Sequence, residues 1–456
     1  MTLNGARPME TDYDAFVIGT GVAGSSLAYK LRKAGMKVAI ADKDRFGGIC
    51  AFHGCTPKKI LSGAANIVDS GTRMKGKGPE CSSTLDWASV VKFKDELVNS
   101  LTAPKENAFK KAGIDTYHAE VSFHDRNTLL VGDRLISSKY ILLAVGSTSR
   151  AIDIPGSDHL TTSDEFLDLE ELPENIIFAG GGYISLEFAH IAARTGARVT
   201  VIHRGENILK TFDPDLVKML VKASERAGIR IITGEELRVI RKKNDVLELV
   251  TFDKKKGEEL TYECDMVVHG LGRVPAIDGL EPEKGEVDIE HGGIAVNEYL
   301  QSRSNPSVYA AGDCIIPGPA LTPTASLQAN VIASNILKEN KHTADYSGIA
   351  SAAFTIPTLA GVGLLEKDAT EEHEVLFNDL SNNYSARRTG LGTFASKIII
   401  EKDTGKIVGA HVIGPDAEDI INLFALAIKT GLTSEQVREA MYAYPTSSYD
   451  VRYMLR

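Results

Sequence analysis

Residues 13–24 have the sequence YDAFVIGTGVAG, an apolar run followed by three closely spaced glycines. The run Ala15–Ile18 is rich in β-branched residues and predicts a buried strand, and the SSLAYKLRKAG stretch after it predicts a helix. Gly19, Gly21 and Gly24 lie between them in the pattern G-x-G-x-x-G. A strand, a glycine turn and a helix in this order predict the first part of a nucleotide-binding βαβ unit.

Each position of this turn has a mechanical reason. Gly19 permits the tight turn, Gly21 lets the backbone approach a pyrophosphate, and Gly24 lets the helix pack closely on the strand. The positive end of the helix dipole favours the phosphates. The next predicted strand ends at Asp42, where a carboxylate can bind a ribose hydroxyl. The segment therefore predicts a dinucleotide site in a parallel α/β sheet.

The same pattern recurs in residues 175–210, NIIFAGGGYISLEFAHIAARTGARVTVIHRGENILK. Gly180 and Gly182 take the first two positions of the turn, and Ser185 takes the third. A residue as small as serine still permits close packing of helix and strand. One chain thus carries two predicted dinucleotide sites.

The second site differs from the first where its second strand ends. His203 and Arg204 occupy the place of the acid, and Lys210 follows. Cationic groups in this place favour a ribose that carries a 2′-phosphate, so we predict NADPH, with NADH the less favoured coenzyme. The alternative is that Arg204 and Lys210 are solvated surface charges.

A cysteine loop, GGICAFHGCTPKK, occupies residues 47–59 just beyond the first site. Three alternatives exist for Cys50, His53 and Cys55 in this loop. They could bind a metal, the two cysteines could form a redox-active disulfide, or the three residues could be unrelated. The loop by itself leaves these three alternatives open. The predicted dinucleotide sites on either side of it favour redox chemistry.

Composition narrows the class of protein. The chain has 456 residues, of which 43% are hydrophobic and 25% charged, and these fractions are ordinary for a globular protein of several domains. The net charge of -10 argues against a nucleic-acid partner, and no apolar run approaches the roughly 20 residues of a membrane span. Five cysteines are few, so we predict a reducing cytoplasm and structural roles for Cys81, Cys264 and Cys314.

From about Tyr13 to Leu455 the sequence resembles the flavin-dependent pyridine nucleotide-disulfide oxidoreductases, a family that includes glutathione reductase, dihydrolipoamide dehydrogenase and mercuric reductase. Besides the two turns and the cysteine loop, four segments carry the resemblance: ILLAVGSTSR, SVYAAGDC, ALTPTASLQAN and FTIPTLAGVGLLEKDA. The resemblance implies two Rossmann-like dinucleotide-binding domains, for FAD and NADPH, and a C-terminal α+β dimerisation domain.

The resemblance also implies a domain order and a homodimer. We expect a disordered arm, a split FAD domain around an NADPH domain, and an interface domain, with the bounds 1–12 for the arm, 13–150 and 276–345 for the FAD domain, 151–275 for the NADPH domain and 346–456 for the interface domain.

The family's cofactor-binding residues map onto this sequence at its motifs. For FAD they are Gly19, Gly21, Gly24, Asp42, Gly48, Ala144, Gly146, Gly312, Asp313 and Thr322. For the nicotinamide coenzyme they are Gly180, Gly182, Tyr183, Arg204 and Lys210, with Tyr183 as an aromatic gate over the flavin.

The family passes hydride from NADPH to the flavin and then to a disulfide, here Cys50–Cys55. By resemblance, Cys55 faces the flavin and Cys50 attacks the acceptor. A zinc site at this loop would need a fourth ligand, and no second Cys or His pair lies nearby in the sequence, so we predict no metal. The family also pairs a lysine after the second cysteine with a glutamate on the NADPH-domain helix. Both Lys58 and Lys59 match the lysine, and Glu187 matches the glutamate.

The chain departs from the family near its C-terminus. The usual motif resembles H-P-T-x-S-E, whereas this chain has YAYPTSSYD. Tyr444 stands in the place of the catalytic histidine and Tyr449 in the place of its glutamate. A phenol has a reference pKa near 10, so it is a poor base at neutral pH. His53 is a candidate substitute if the loop is helical, because it would share a face with Cys50.

These features predict an NADPH-dependent flavoprotein that reduces a small disulfide or thiol-bound acceptor. One alternative is a quinone reductase of the diaphorase type that bypasses the cysteines. Another is a mercuric-ion reductase, which is less favoured because no cysteine follows Cys314 in this sequence. An alternative of another class is a flavin-binding redox sensor with little turnover.

Overall fold

The structure, a computed structural model, describes residues 12–78, 84–316 and 318–456. The predicted arm lies outside the described residues except for Asp12, and Cys81 also lies outside them. The chain divides into two units built from alternating segments. The first unit comprises Met1–Pro57, Asp95–Arg150 and Arg273–Tyr346, and the second comprises Lys58–Lys94, Ala151–Gly272 and Ser347–Arg456.

The first unit is built around a seven-stranded sheet with a parallel core. The run predicted as a buried strand forms Tyr13–Ile18, which pairs in parallel with Val38–Asp42 on one side and with Arg134–Leu143 on the other. The remaining strands are Asp115–His118, Val121–Phe123, Thr128–Val131 and Val308–Ala310. Because the side chains of Ala15, Phe16 and Val17 are fully buried, this strand anchors the core of the unit.

Helices and two short strand pairs complete the first unit. Its helices are Val22–Lys33, Gly48–Phe52, Lys105–Lys111 and Thr322–Lys338. The strand pairs are Ser147–Ser149 with Arg273–Pro275, and Ile289–Glu290 with Gly293–Ile294. The helices Cys55–Arg73 and Trp87–Thr102 each contain a boundary between the two units.

The second unit contains a parallel sheet of five strands, in the order Ile229–Thr233, Arg198–His203, Asn175–Ala179, Met266–His269 and Leu160–Thr161. An antiparallel sheet of Glu235–Lys243, Val246–Asp253 and Glu258–Cys264 adjoins it. Its helices are Ser163–Leu167, Tyr183–Ala193 and Pro214–Arg226, and Ser157–His159 forms a 3₁₀ turn.

The C-terminal part of the second unit is an antiparallel sheet with helices. The sheet order is Ser351–Ala353, Thr358–Gly363, Ile407–Gly414, Ala395–Glu401 and His373–Asp379. The helices are Tyr384–Arg387, Ala417–Thr430, Ser434–Glu439 and Val451–Met454, and Glu366–Asp368 and Ser447–Asp450 are 3₁₀ turns. The predicted fold class, two Rossmann-like parts and a C-terminal α+β part, is confirmed.

No helix in the part of the chain that the structure describes combines the length and the apolar composition needed to cross a membrane.

A buried lysine joins the C-terminal sheet to the nucleotide-binding part of the second unit. Lys397 Nζ lies 3.0 Å from Asp213 Oδ2 and 2.7 Å from Asp215 Oδ2, and it also pairs with Glu366. The Lys397 side chain is 2% exposed and that of Asp213 is fully buried. Burial lowers the pKa of Lys397, but hydrogen bonds to Asp215, Glu366 and Asp213 outweigh burial and raise it above the ordinary value. The ammonium therefore stays charged.

Replacing this lysine should destabilise the protein because the Asp213 carboxylate would be left buried without its cation. For Lys397→Met we expect the free energy of unfolding to fall by about 3–5 kcal/mol. Chemical denaturation followed by circular dichroism measures it. Lys222→Met, at an exposed position in the helix Pro214–Arg226, is the matched control and should change little.

The double variant Lys397→Met with Asp213→Leu removes both charges of the pair. Its loss in free energy of unfolding should be smaller than the sum of the losses in the two single variants, because removing both partners leaves neither Lys397 nor Asp213 as an unpaired charge in the interior. Additive costs would contradict the interpretation of this contact as a coupled buried ion pair.

Candidate active site

The first glycine turn has the close contacts that its sequence predicts. Gly19 has φ +102°, and a Cβ added to it would lie 2.3 Å from the carbonyl oxygen of Ala144. A Cβ on Gly24 would lie 1.9 Å from the carbonyl oxygen of Gly19. At Gly21, by contrast, an added Cβ meets nothing within 4 Å. The turn is thus packed on its inner side and open at the helix N-terminus, and this shape fits a pyrophosphate.

Asp42 supports this turn from the end of the neighbouring strand. Its Oδ2 accepts hydrogen bonds from the backbone N–H of Thr20 at 2.8 Å and from the Thr20 hydroxyl at 2.6 Å. The same hydroxyl oxygen accepts a hydrogen bond from the backbone N–H of Gly47 at 2.9 Å. The acid that was predicted to bind ribose therefore also links the turn to the start of the cysteine loop.

The other residues predicted to bind FAD lie in the same unit. A Cβ on Gly48 would lie 2.5 Å from the Cα of Gly21, so the cysteine loop begins directly on the turn. Asp313 accepts a hydrogen bond from the Ser147 hydroxyl at 3.1 Å. The remaining predicted residues occupy loops or element ends: Ala144 follows the strand Arg134–Leu143, Gly146 and Gly312 have positive φ, and Thr322 begins the helix Thr322–Lys338.

The two cysteines of the loop converge on one hydroxyl. Cys50 lies in the helix Gly48–Phe52, and Cys55 begins the helix Cys55–Arg73. Both are free thiols, and the Sγ of each lies 3.4 Å from Thr322 Oγ1. A hydrogen bond to Cys55, followed by burial, raises the pKa of the Cys50 thiol. Once one of the two sulfurs is ionised, the Cys50 thiol can share its proton with Cys55, so the two cysteines titrate as a pair.

Exposure does not distinguish the two cysteines as the resemblance does. Cys55 is exposed and Cys50 is half-buried, whereas the resemblance assigns Cys50 as the outer thiol.

His53 follows the helix Gly48–Phe52 as its C-cap with φ −131°, so the helix that would align it with Cys50 ends one residue earlier. Its ring lies 6.5 Å from that of Phe52, centroid to centroid. Within residues 12–78, 84–316 and 318–456, no cluster of three or more His, Cys, Asp or Glu side chains could hold a metal.

The structure distinguishes the two candidate lysines of the loop, both of which belong to the second unit. Lys58 Nζ lies 3.0 Å from Glu187 Oε1, and these side chains are 13% and 2% exposed. Lys59 is turned to another partner, Glu418, at 3.1 Å. Glu187 also accepts a hydrogen bond from the backbone N–H of Phe354 at 2.7 Å. Lys58 thus forms the lysine–glutamate pair that the resemblance implies.

The second glycine turn repeats the close packing of the first. A Cβ on Gly180 would lie 2.0 Å from the carbonyl oxygen of Gly270, and Gly182 is the N-cap of the helix Tyr183–Ala193 with open space around it. Ser185 is fully buried in the place of the third glycine. It fits because Gly270 lies opposite, where a Cβ would come within 1.9 Å of Ser185 Oγ.

Of the other residues at this turn, Tyr183, Arg204 and Lys210 have exposed side chains, whereas His203 is partly buried and hydrogen-bonded to the turn. Tyr183 begins the helix and is 50% exposed, and Arg204 and Lys210 are exposed beyond the strand Arg198–His203. His203 does not act as the cation that the sequence suggested. Its Nδ1 accepts a hydrogen bond from the backbone N–H of Gly181 at 3.1 Å, so this nitrogen carries no proton. Burial, and then Lys210, lower the pKa of His203.

The tyrosines in the place of the acid–base pair contact each other. The rings of Tyr444 and Tyr449 are 5.0 Å apart in an edge-to-face arrangement, and Tyr444 is 72% exposed. The Tyr449 hydroxyl accepts a hydrogen bond from Arg452 Nη1 at 3.1 Å. These two tyrosines, Asp450 and Tyr453 are among the residues lining a cavity of about 170 Å³.

Sequence reasoning missed three contacts of this site. The Thr322 hydroxyl was predicted near the flavin but not between the thiols, because it is 272 residues from Cys50. Phe354 was not considered, yet its ring lies 3.9 Å from the Nζ of both Lys58 and Lys59. The acceptor role of His203 was also missed, although its position matches that of Asp42 and could have indicated it.

Comparisons with known proteins cover nearly the whole chain. Residues 13–329 match the family described as pyridine nucleotide-disulphide oxidoreductase, and residues 349–454 match its dimerisation domain. The flavoprotein disulfide reductase RclA from Escherichia coli, in a structure of its Cu(II) complex, has a TM-score of 0.88 at 24% identity and covers 98% of this chain and 99% of its own. This likeness shows a shared fold.

Curated relatives have different substrates. A glutathione reductase from Nostoc sp. is 30% identical over 96% of this chain and 98% of its own length. A mercuric reductase from Staphylococcus aureus is 31% identical over 95% and 80%, and a dihydrolipoyl dehydrogenase from Bacillus subtilis is 31% identical over 97% and 95%. The chain therefore belongs to the pyridine nucleotide-disulphide oxidoreductase family of FAD-dependent enzymes that act on sulfur groups.

Proposed function

We propose that this enzyme passes electrons from NADPH through FAD to the Cys50–Cys55 pair and from there to a small disulfide or thiol-bound acceptor. The observation that carries the proposal is the convergence of both thiols on the Thr322 hydroxyl, in a loop that begins on the first glycine turn. A pair of thiols within reach of one hydrogen-bonding group is suited to reversible disulfide formation.

FAD, when bound, supplies the ring that takes hydride from the nicotinamide and reduces the cysteine pair. The first unit offers it the open N-terminus of a glycine turn at Gly21 and the Asp313 carboxylate near Ser147. We assign FAD binding to the residues predicted for it, which are Gly19, Gly21, Gly24, Asp42, Gly48, Ala144, Gly146, Gly312, Asp313 and Thr322.

The dithiol step transfers two electrons. The Cys50 thiolate attacks one sulfur of the acceptor disulfide, the acceptor S–S bond breaks, and the leaving thiolate takes up a proton. Cys55 then attacks the Sγ of Cys50, which restores the Cys50–Cys55 disulfide and releases the second thiol of the acceptor. Because the pKa of Cys50 is raised, this thiol needs a base before it can attack.

The supply of that base sets the range of acceptors. Phenols such as Tyr444 and Tyr449 are poor bases at neutral pH but can donate hydrogen bonds. We therefore expect slow reduction of ordinary disulfides unless His53 takes the proton from Cys50. Loss of one acid–base catalyst costs about 10²–10⁴-fold in rate.

By resemblance, we assign the Lys58–Glu187 ion pair and Tyr183 to the transfer of hydride from the nicotinamide to the flavin. The buried Glu187 carboxylate holds Lys58 in one orientation, with the Phe354 ring 3.9 Å from its Nζ. A lysine held in this way can donate a charged hydrogen bond to a nitrogen atom in the ring of a bound cofactor. NADPH is favoured over NADH because Arg204 and Lys210 are exposed at the second glycine turn.

A second candidate is reduction of a metal ion bound to thiolates or of a quinone. The tyrosines at 444 and 449 favour it, because these acceptors need no protonated thiol leaving group. The mercuric reductase relative is compatible with the first of these acceptors. A sensor with little turnover is the remaining alternative.

We also propose a homodimer in a reducing cytoplasm. The match of residues 349–454 to the family's dimerisation domain supports the dimer. The free thiols of Cys264 and Cys314, which are both buried, are compatible with a reducing compartment.

The cysteine pair should change its redox state with the coenzyme. In the aerobically isolated holoenzyme we expect Cys50 and Cys55 to resist iodoacetamide, and under argon one NADPH per subunit should make them reactive, as read by peptide mass spectrometry. Cys264→Ser is the matched control and should behave as wild type.

Equal alkylation of Cys50 and Cys55 with and without NADPH would remove the cysteines from the electron path. In that case Cys50→Ser should retain quinone reduction, whereas the proposed path predicts that Cys50→Ser abolishes disulfide reduction. A wild-type enzyme inert toward every acceptor class would favour the sensor.

Coenzyme preference should depend on the exposed cations beyond the strand Arg198–His203. For Arg204→Glu we expect kcat/KM with NADPH to fall by about tenfold or more, the effect of losing one charged hydrogen bond, while the value with NADH changes little. Steady-state assays with both coenzymes measure it. Arg198→Glu, an exposed change at the other end of the same strand, is the control. Equal values of kcat/KM with NADPH and NADH for the wild-type enzyme would contradict the proposed preference for NADPH.

A further inference from the structure

The imidazole of His203 is enclosed by two glycines. Its Nδ1 accepts the hydrogen bond from the backbone N–H of Gly181. A Cβ added to Gly181 would lie 2.7 Å from His203 Cγ, and one added to Gly205 would lie 2.9 Å from His203 Nε2. The ring therefore occupies a fixed place between the glycine turn and the segment that follows the strand.

That following segment, residues 204–210, returns to the same glycine. The backbone N–H of Leu209 donates a hydrogen bond to the carbonyl oxygen of Gly181 at 2.8 Å, and Leu209 adopts φ +46° to do so. The Ile208 side chain also packs on the turn, because a Cβ on Gly181 would lie 2.6 Å from its Cγ2. Gly181 is thus held through its N–H by His203 and through its C=O by Leu209.

Most charged residues of this segment are cationic, and they lie at its two ends, on either side of the part that is hydrogen-bonded to Gly181. Arg204 and Lys210 are its first and last residues, and both are exposed. Its one acid, Glu206, is already paired with Lys255 at 2.9 Å. Closing the segment on Gly181 therefore brings two cations, and no unpaired acid, to the edge of the turn.

In the first glycine turn, the corresponding backbone N–H is held by a negatively charged acceptor instead of an imidazole. There the backbone N–H of Thr20 donates to the Asp42 carboxylate at 2.8 Å, as Gly181 does to His203. A carboxylate at position 203 would keep the hydrogen bond but would repel a 2′-phosphate. A neutral imidazole keeps the hydrogen bond without that repulsion.

We propose that His203 is a positioning residue for coenzyme specificity: as a neutral acceptor it holds residues 204–210 on Gly181, so that Arg204 and Lys210 face a 2′-phosphate. This inference rests on the proposed use of NADPH. It differs from a direct contact with phosphate, because His203 acts through the turn and the segment.

Three substitutions separate the hydrogen bond from the charge. His203→Leu removes the acceptor, His203→Asn retains an acceptor atom near the place of Nδ1, and His203→Asp retains the acceptor but adds negative charge. His159→Leu, in the 3₁₀ turn Ser157–His159 of the same unit, is the control. Two quantities are measured on each holoenzyme: hydrogen exchange of the peptide that contains Gly181, and kcat/KM with NADPH and NADH.

For His203→Leu we expect loss of exchange protection at Gly181 and a fall of about tenfold in kcat/KM with NADPH, mainly through KM. His203→Asn should keep the protection and stay within about threefold of wild type with NADPH. His203→Asp should keep the protection but lose about tenfold or more of the NADPH preference. The control should change neither quantity.

Unchanged protection in His203→Leu, or unchanged NADPH preference in His203→Asp, would overturn the inference. If His203→Leu does not fold, the comparison of the Asn and Asp variants still decides it. A wild-type enzyme that uses both coenzymes equally would defeat the proposed NADPH function, and the exchange data would then report separately whether His203 holds the turn.

Discussion

Both nucleotide sites depend on one constraint, a glycine that lies against the carbonyl of the residue just after a neighbouring strand. At Gly19 and at Gly180, any side chain would lie 2.3 Å and 2.0 Å from the oxygens of Ala144 and Gly270. Backbone cannot move aside as a flexible side chain can, so only glycine permits the approach. The cysteine loop and the Arg204–Lys210 segment both take their positions from turns built in this way.

Local pattern predicted most of the fold and part of the site. The glycine turns, their strands and the cysteine loop were predictable because each depends on residues close together in sequence. The choice between Lys58 and Lys59 was not, because neighbouring helical residues point in directions about 100° apart and their partners, Glu187 and Glu418, are far along the chain. The neutral state of His203 likewise depends on a backbone N–H that no composition rule identifies.

Two features of the chain bear on proton transfer during the proposed thiol chemistry. The pKa of Cys50 is raised by its hydrogen bond with Cys55, and phenols replace the usual imidazole and carboxylate at positions 444 and 449. In the proposed reaction, a thiol that holds its proton and phenols that do not readily take one would slow the reduction of ordinary disulfides. Acceptors whose reduction does not require rapid protonation of a departing thiolate would be affected less. The same parts that define the family thus leave room for a different final acceptor.

The Thr322 hydroxyl, equidistant at 3.4 Å from both sulfurs, has a consequence for how charge moves in the dithiol. A hydroxyl has a single hydrogen, so it can donate to only one sulfur at a time. If negative charge passes from one sulfur to the other, as the proposed mechanism requires, rotation about the Cβ–Oγ1 bond lets the donor follow it with no movement of the backbone. One hydroxyl so placed can serve either sulfur, and a change of partner needs only a rotation of its hydrogen.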